Sequence, residues 1–206
     1  MGYYRRIADV AEQVKTATEG FLTERGLSLS EEKTKIVHID EGFDFLSWNF
    51  RKYGGKLLIK PSKKAVATIT RKISDIIRGS KSASQIDLIE KLNPIILGWA
   101  LYHRSVVASS TFNRLDSIVW DLLWSWAKRR HPKKGHQWIA RKYWHSIDNS
   151  NWVFTTFTST LKRFSDTKIK RHVLAQLMRN PFLDAEYFSK RHCDIVTRQT
   201  TVYSFF

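Results

Sequence analysis

The sequence predicts an α+β chain, with a short N-terminal helix and a β-hairpin followed by a mainly α-helical body. Three observations carry that prediction. Apolar residues recur at helical spacing in residues 5–25 and again between Pro61 and Arg130. Between these stretches, two runs rich in aromatic and aliphatic residues flank Gly54-Gly55, a two-residue hairpin signal. The 206 residues are 42% hydrophobic and 26% charged, the balance of a globular chain able to bury a core.

In chain order, residues 5–25 read as a helix with Ile7, Val10, Val14, Phe21 and Leu22 on one side and Gly26 stopping it. A short strand is expected over residues 34–39, then strands over 43–53 and 56–60 that make the hairpin. From Pro61 the pattern turns helical. Ser62 serves as cap for a helix that points Val66, Ile69, Ile73 and Ile76 inward and ends near Gly79. Ser84 with Asp87 has the spacing of a capping box opening a short helix. Asn93-Pro94 then reads as the N-cap and first residue of a new helix carrying Ile96, Trp99, His103 and Val106 in one stripe. The strongest periodicity follows in Phe112, Leu115, Ile118, Val119, Leu122, Leu123 and Trp126, widened by Trp120 and Trp124. After Gly135 the chain is aromatic, basic and less regular, with residues 152–157 expected as a strand. These shifts divide the chain into residues 1–60, 61–135 and 136–206.

Charge narrows the function. Thirty-five Lys and Arg against 19 Asp and Glu leave a net charge of +16. Residues 1–50 hold six basic and nine acidic side chains, whereas residues 51–206 hold 29 and 10, so the surplus sits wholly in the second part. Such an excess calls for an anionic partner, either nucleic acid or an acidic membrane surface. No run approaches the roughly 20 apolar residues that span a bilayer, and the N-terminus lacks the pattern of a signal peptide, so nucleic acid is the better match. The single cysteine, Cys193, rules out an internal disulfide and a Cys-rich zinc site, and fits a reducing cytoplasm.

The sharpest local signal is Lys128-Arg129-Arg130-His131, continued after Pro132 by Lys133-Lys134. Lys and Arg at this density neutralise phosphates and release counterions, although cations at a helix C-terminus are also favoured by the helix dipole alone. Neighbouring groups favour the nucleic-acid reading: Arg141-Lys142-Tyr143-Trp144, Lys162-Arg163, and Lys168 with Lys170 and Arg171. Lys60, Lys63, Lys64, Arg71, Lys72 and Arg104 add basic groups earlier in the chain. Basic residues interleaved with aromatics suit RNA, whose unpaired bases stack on rings and guanidinium planes. Trp99, Trp120, Trp124 and Trp126 fall on apolar helical faces and are expected in the core. Trp138, Trp144 and Trp152 fit core and stacking roles equally. A catalytic or metal centre is not expected. His131, His136 and His145 match no common ligand spacing, Cys193 beside His192 has no partner motif, and no two of the eleven aspartates are adjacent.

Particular phrases carry a family resemblance. Glu32-Lys33-Thr34-Lys35-Ile36, Gly42-Phe43-Asp44-Phe45-Leu46 and Leu57-Leu58-Ile59-Lys60-Pro61-Ser62-Lys63 resemble the late palm segments of group II intron reverse transcriptases. Leu92-Asn93-Pro94-Ile95-Ile96-Leu97-Gly98-Trp99-Ala100 and the stretch from Phe112 to Pro132 resemble the family's maturase-specific domain. The resemblance implies that residues 1–60 are the end of a polymerase palm, 61–135 a thumb and maturase helical domain, and 136–206 its basic extension. It also implies a partner, group II intron RNA, and a role in folding that RNA for splicing. Basic and aromatic residues named above would then be RNA contacts.

The departures matter as much. The family's Tyr-Ala-Asp-Asp turn, which holds two magnesium ions, is absent, and the chain begins where that turn has passed, as in a truncated or split intron-encoded protein. No cofactor is therefore expected, and no catalysis by this chain alone. The alternative is a piece of an RNA-directed DNA polymerase, active with a separate chain that supplies fingers and palm. Ser47 stands where the family usually has Gly. Charge by itself also leaves a DNA-binding role open.

Overall fold

The computed structural model describes residues 2–147, 150–170, 179–180 and 182–190. The architecture is α+β, as the sequence predicts. Helix α1 (Gly2–Thr23) ends where Gly26 takes φ 71°, a left-handed conformation that suits glycine. Its apolar stripe does not pack as expected: Val10, Val14 and Phe21 are each more than half exposed. The strand expected over residues 34–39 is absent. Ile36 and Val37 are exposed and no strand lies beside them, so their β-propensity has nothing to pair with.

A three-stranded antiparallel sheet follows, β1 (Phe43–Phe45), β2 (Trp48–Tyr53) and β3 (Lys56–Pro61), in that order. The expected strand over 43–53 is thus two strands. Phe45 pairs with Trp48 across a two-residue turn in which Leu46 (φ 46°) and Ser47 (φ 68°) are both left-handed. Ser47 therefore occupies the conformation that the family's Gly would take without strain. Two tertiary hydrogen bonds hold the turn: Tyr102 Oη donates to Leu46 O (2.6 Å), and Ser62 N donates to Ser47 O (2.8 Å). Gly54 and Gly55, at φ 52° and 82°, form the predicted turn between β2 and β3.

The body is built from α2 (Lys63–Gly79), α3 (Gln85–His103), α4 (Ser109–Arg130) and α5 (His136–Tyr143). Ser62 caps α2 by accepting from Ala65 N, and Ile69, Ile73 and Ile77 are its buried face. The Ser84–Asp87 capping box is complete at α3, where the Ser84 hydroxyl and backbone N–H hold the Asp87 carboxyl below its usual range. Contrary to the sequence reading, α3 continues through Asn93-Pro94 as one helix. Asn93 caps nothing. Its side chain donates to Thr160 O (3.0 Å) and accepts from Lys162 N (2.8 Å), clamping a distant loop.

The chain then forms α5 and the hairpin β4 (Trp144–Ile147) and β5 (Ser150–Phe154), neither α5 nor β4 being foreseen. A 3-10 turn (Phe164–Asp166) closes the body, its first N–H groups bound by the Asp116 carboxylate on α4 at 2.7 and 3.0 Å. One hydrophobic core runs from Ile69 on α2 to Phe164, including Leu92, Ile96, Leu115, Leu123, Trp126, Ile139, Trp144 and Phe154. This core crosses residue 135 without interruption. The three-stranded sheet joins it through Trp48 and Ile59, a Val107 N to Ile59 O hydrogen bond (2.9 Å), and Trp48 Nε1 donating to His103 Nδ1 (3.0 Å).

Candidate nucleic-acid interface

The α4–α5 corner gathers the densest basic surface. Lys128, Arg129 and Arg130 occupy the last turn of α4, a position the helix dipole favours for cations. A tight turn, closed by Lys134 N donating to His131 O (3.1 Å), leads to Gly135 and α5. Helix α5 buries Ile139 and Tyr143 against the core, so Trp138, Arg141 and Lys142 face outward. The ammonium groups of Lys134 and Lys142 lie 5.3 and 5.0 Å from the centre of the Trp138 ring. Trp138 thus joins the predicted cations. Its placement four residues before Lys142 was legible as helical spacing. Among the described residues, Lys128, Arg129, Lys133, Lys134, Arg141 and Lys142 are all exposed and make no ion pair with a carboxylate.

Other residues expected to contact RNA serve the core instead. The Arg130 guanidinium donates to Lys81 O (3.1 Å) and Ala83 O (2.6 Å) and lies over Trp126 at 4.8 Å, so it ties the α2–α3 connection to the end of α4. His131 Nε2 is 2.8 Å from Tyr143 Oη. Burial, and the charges of Lys142, Arg130 and Lys134 around it, push the His131 imidazole below its usual range. Tyr143 and Trp144 correct the sequence reading most clearly. Both are buried, at 4% and 5% exposure, among Trp126, Phe154 and Trp124, so little of either ring is open to a base. Burial also raises the Tyr143 phenol above its usual value.

The earlier basic residues divide between two grooves on α2. Lys63 and Arg71 line one of about 570 Å³, together with Arg78 and, from α4, Arg114. Lys64 and Lys72 line the other, about 740 Å³, which the Leu46-Ser47 turn and α3 complete. Arg78 and Arg114 were not among the residues expected to contact RNA, because neither lies in a basic run. Lys60 is half-buried on β3 with its ammonium 4.7 Å from the Tyr53 ring centre, and Arg104 is half-buried at the end of α3. Lys162, Arg163, Lys168 and Lys170 are exposed, but Arg163 pairs with Asp166 at 2.9 Å. Arg171, His192 and Cys193 lie outside the described residues.

Along α4 the two basic zones fall on roughly one side of the helix. Fourteen residues separate Arg114 from Lys128, about 21 Å at 1.5 Å per residue, and 100° per residue returns Lys128 to within about 40° of Arg114's direction. An array on that scale matches a polynucleotide backbone rather than a small anion. Among the described residues, no group of three or more His, Cys, Asp or Glu is placed to hold a metal ion. No described helix is long and apolar enough to cross a membrane.

Comparison with known proteins converges on the same region. The ribosomal operon-associated A protein of Euglena longa is 27% identical over 136 residues, covering 65% of this chain. The chain spans about a quarter (26%) of that relative's length. The family model of the group II intron, maturase-specific domain matches residues 66–144, from the first turn of α2 to the start of β4. The helices that carry the α2 groove and the α4–α5 corner are therefore the part of this chain that is similar to the group II intron maturase-specific domain.

Proposed function

We propose that this chain binds group II intron RNA along α4, from the α2 groove to the α4–α5 corner, and supports the folding of that RNA for splicing. The observation that carries the proposal is the set of six exposed cations at the corner that pair with no carboxylate among the described residues, all inside the residues that match the maturase-specific domain. Uncompensated cations gathered at one corner repel one another until phosphates neutralise them. Exposed Trp138 and Trp152 among these cations favour RNA over duplex DNA, because only unpaired bases offer faces for stacking. A cytoplasmic location goes with this reading and with the single cysteine.

The test is the salt dependence of RNA binding before and after reversing Lys128, Arg129, Lys133 and Lys134 to Glu. Each lost phosphate contact removes about 0.7–0.9 from the slope of log affinity against log salt. The slope should fall by about three, with weaker binding. An unchanged slope would mean that the cluster is only a solvated helix end.

A second reading, a piece of an RNA-directed DNA polymerase completed by another chain, is favoured by one observation. Val10, Val14 and Phe21 on α1, with Phe43, Phe45 and Leu46 on and beside β1, leave apolar surface exposed where a protein partner could cover it.

A further inference from the structure

We infer that the hollow beside the β4–β5 bulge is a pocket for one unpaired nucleobase, a reading that rests on the proposed RNA binding. The hairpin register slips between His145 and Ile147: His145 pairs with Val153 and Ile147 with Ser150, so Ser146 faces both Asn151 and Trp152. A bulge of this kind re-aims the extra side chain. Here the re-aimed residue is Trp152, whose φ of 61° lies in the left-handed region that a bulky side chain rarely adopts. The result is a tryptophan 57% exposed, with its ring set edge-on to Trp120 at 6.4 Å, and Trp120 in turn stacked on Trp124 at 5.4 Å. Core packing does not account for a strained backbone that ends in an exposed ring.

The hollow next to Trp152 has a volume of about 210 Å³, the scale of a single base, and is lined by Arg141, Trp144, His145, Ser146, Asn151 and Trp152, with Ala140. Its walls are aromatic and its rim is cationic. Its edge is polar and only partly used: the Ser146 hydroxyl donates to Asn151 Oδ1 (3.0 Å), and among the described residues the Asn151 amide N–H groups have no acceptor. Trp144, which forms one wall, has a buried indole N–H with no hydrogen-bond partner. Trp152 also lines a smaller cavity together with Lys162 and Arg163, so cations share both hollows that this ring lines. A ring to stack on, donors at the edge and cations for the adjoining phosphates are the three elements of single-strand recognition. Asn151 and its neighbours offer donors, so the favoured base is one presenting carbonyl oxygens.

The cleanest variant is Trp152→Gly, because glycine adopts this φ without strain and the ring alone is lost. We expect an unchanged or higher melting temperature, about tenfold weaker binding to intron RNA, and an unchanged salt slope, since no phosphate contact is removed. Trp152→Tyr should restore most of the affinity. As a direct readout, a uridine oligonucleotide carrying 5-iodouridine should photocrosslink to the Trp152 peptide, identified by mass spectrometry. If Trp152→Gly binds like the parent and crosslinks fall elsewhere, the pocket is overturned while RNA binding stands. If the parent chain binds no RNA, both readings fall. If Trp152→Gly melts lower and Trp152→Tyr fails to restore affinity, Trp152 is a packing residue and the pocket is overturned.

Discussion

Arg141 and Trp144 are three residues apart and live in opposite environments, one exposed on the rim of α5 and the other sealed in the core. Truncating Trp144 should therefore act on stability. Trp144→Ala is expected to cost about 3–5 kcal/mol, the usual range for a buried large aromatic. Thermal melting checks this, and a melt that matches the parent's would refute it. His103 gives a pH prediction of its own. It is buried, accepts from Trp48 Nε1, and burial pulls its pKa down to about 4 from an ordinary 6.5. Because the folded-state pKa lies below the unfolded one, its contribution is fully present above about pH 6.5 and is lost as pH falls towards 4. The loss amounts to at most about 3 kcal/mol at 1.36 kcal/mol per pKa unit. His103→Asn keeps an acceptor for Trp48 but does not titrate, so its melting temperature should vary less between pH 7 and pH 4 than the parent's.

At the scale of elements, α3 shows how one signal serves two structures. Asn93-Pro94 reads as a helix start because an Asn oxygen accepts a backbone N–H and Pro needs none. In the fold that oxygen does accept a backbone N–H, but from Lys162, sixty-nine residues away. Pro94 sits exposed within α3, where water can serve the carbonyl it leaves without a partner. Asn93→Ala would strip partners from Lys162 N and Thr160 O together. A loss of about 1–3 kcal/mol is expected, with faster amide exchange across residues 155–164. Unchanged exchange there would show that the loop is held by Asp116 and the core alone. The basic run after Trp126 makes the same point. Arg130 turns inward to carbonyls while Lys128 and Arg129 face solvent, a division set by helical phase and by what lies beside it.

For the whole molecule, the question is whether shape adds to charge. A solely electrostatic binder prefers any dense array of phosphates and barely separates one folded RNA from another. A maturase domain that uses Trp138, Trp152 and a cation row of fixed length should prefer an RNA with unpaired bases at a matching spacing. In competition near 0.15 M salt, a group II intron RNA is expected to displace bound probe at lower mass than tRNA or duplex DNA. Equal competition by all three would leave only the charge.

The sequence by itself determined the α+β class, the Gly54-Gly55 hairpin, the Ser62 cap, the Ser84–Asp87 box and the long amphipathic α4, because each is fixed by neighbours within about one turn or one hairpin. It also determined that the second part of the chain carries the positive charge, and its phrases pointed to the maturase-specific domain that residues 66–144 match. For the tryptophans that fitted core and stacking roles equally, only the tertiary structure decided: Trp144 is buried and Trp152 exposed, and the two differ by a bulge and a neighbour. It likewise decided that residues 34–39 form no strand and that α3 is continuous. Strand pairing, helix continuation past a proline and the burial of a ring all depend on partners distant in sequence, which local spacing does not encode.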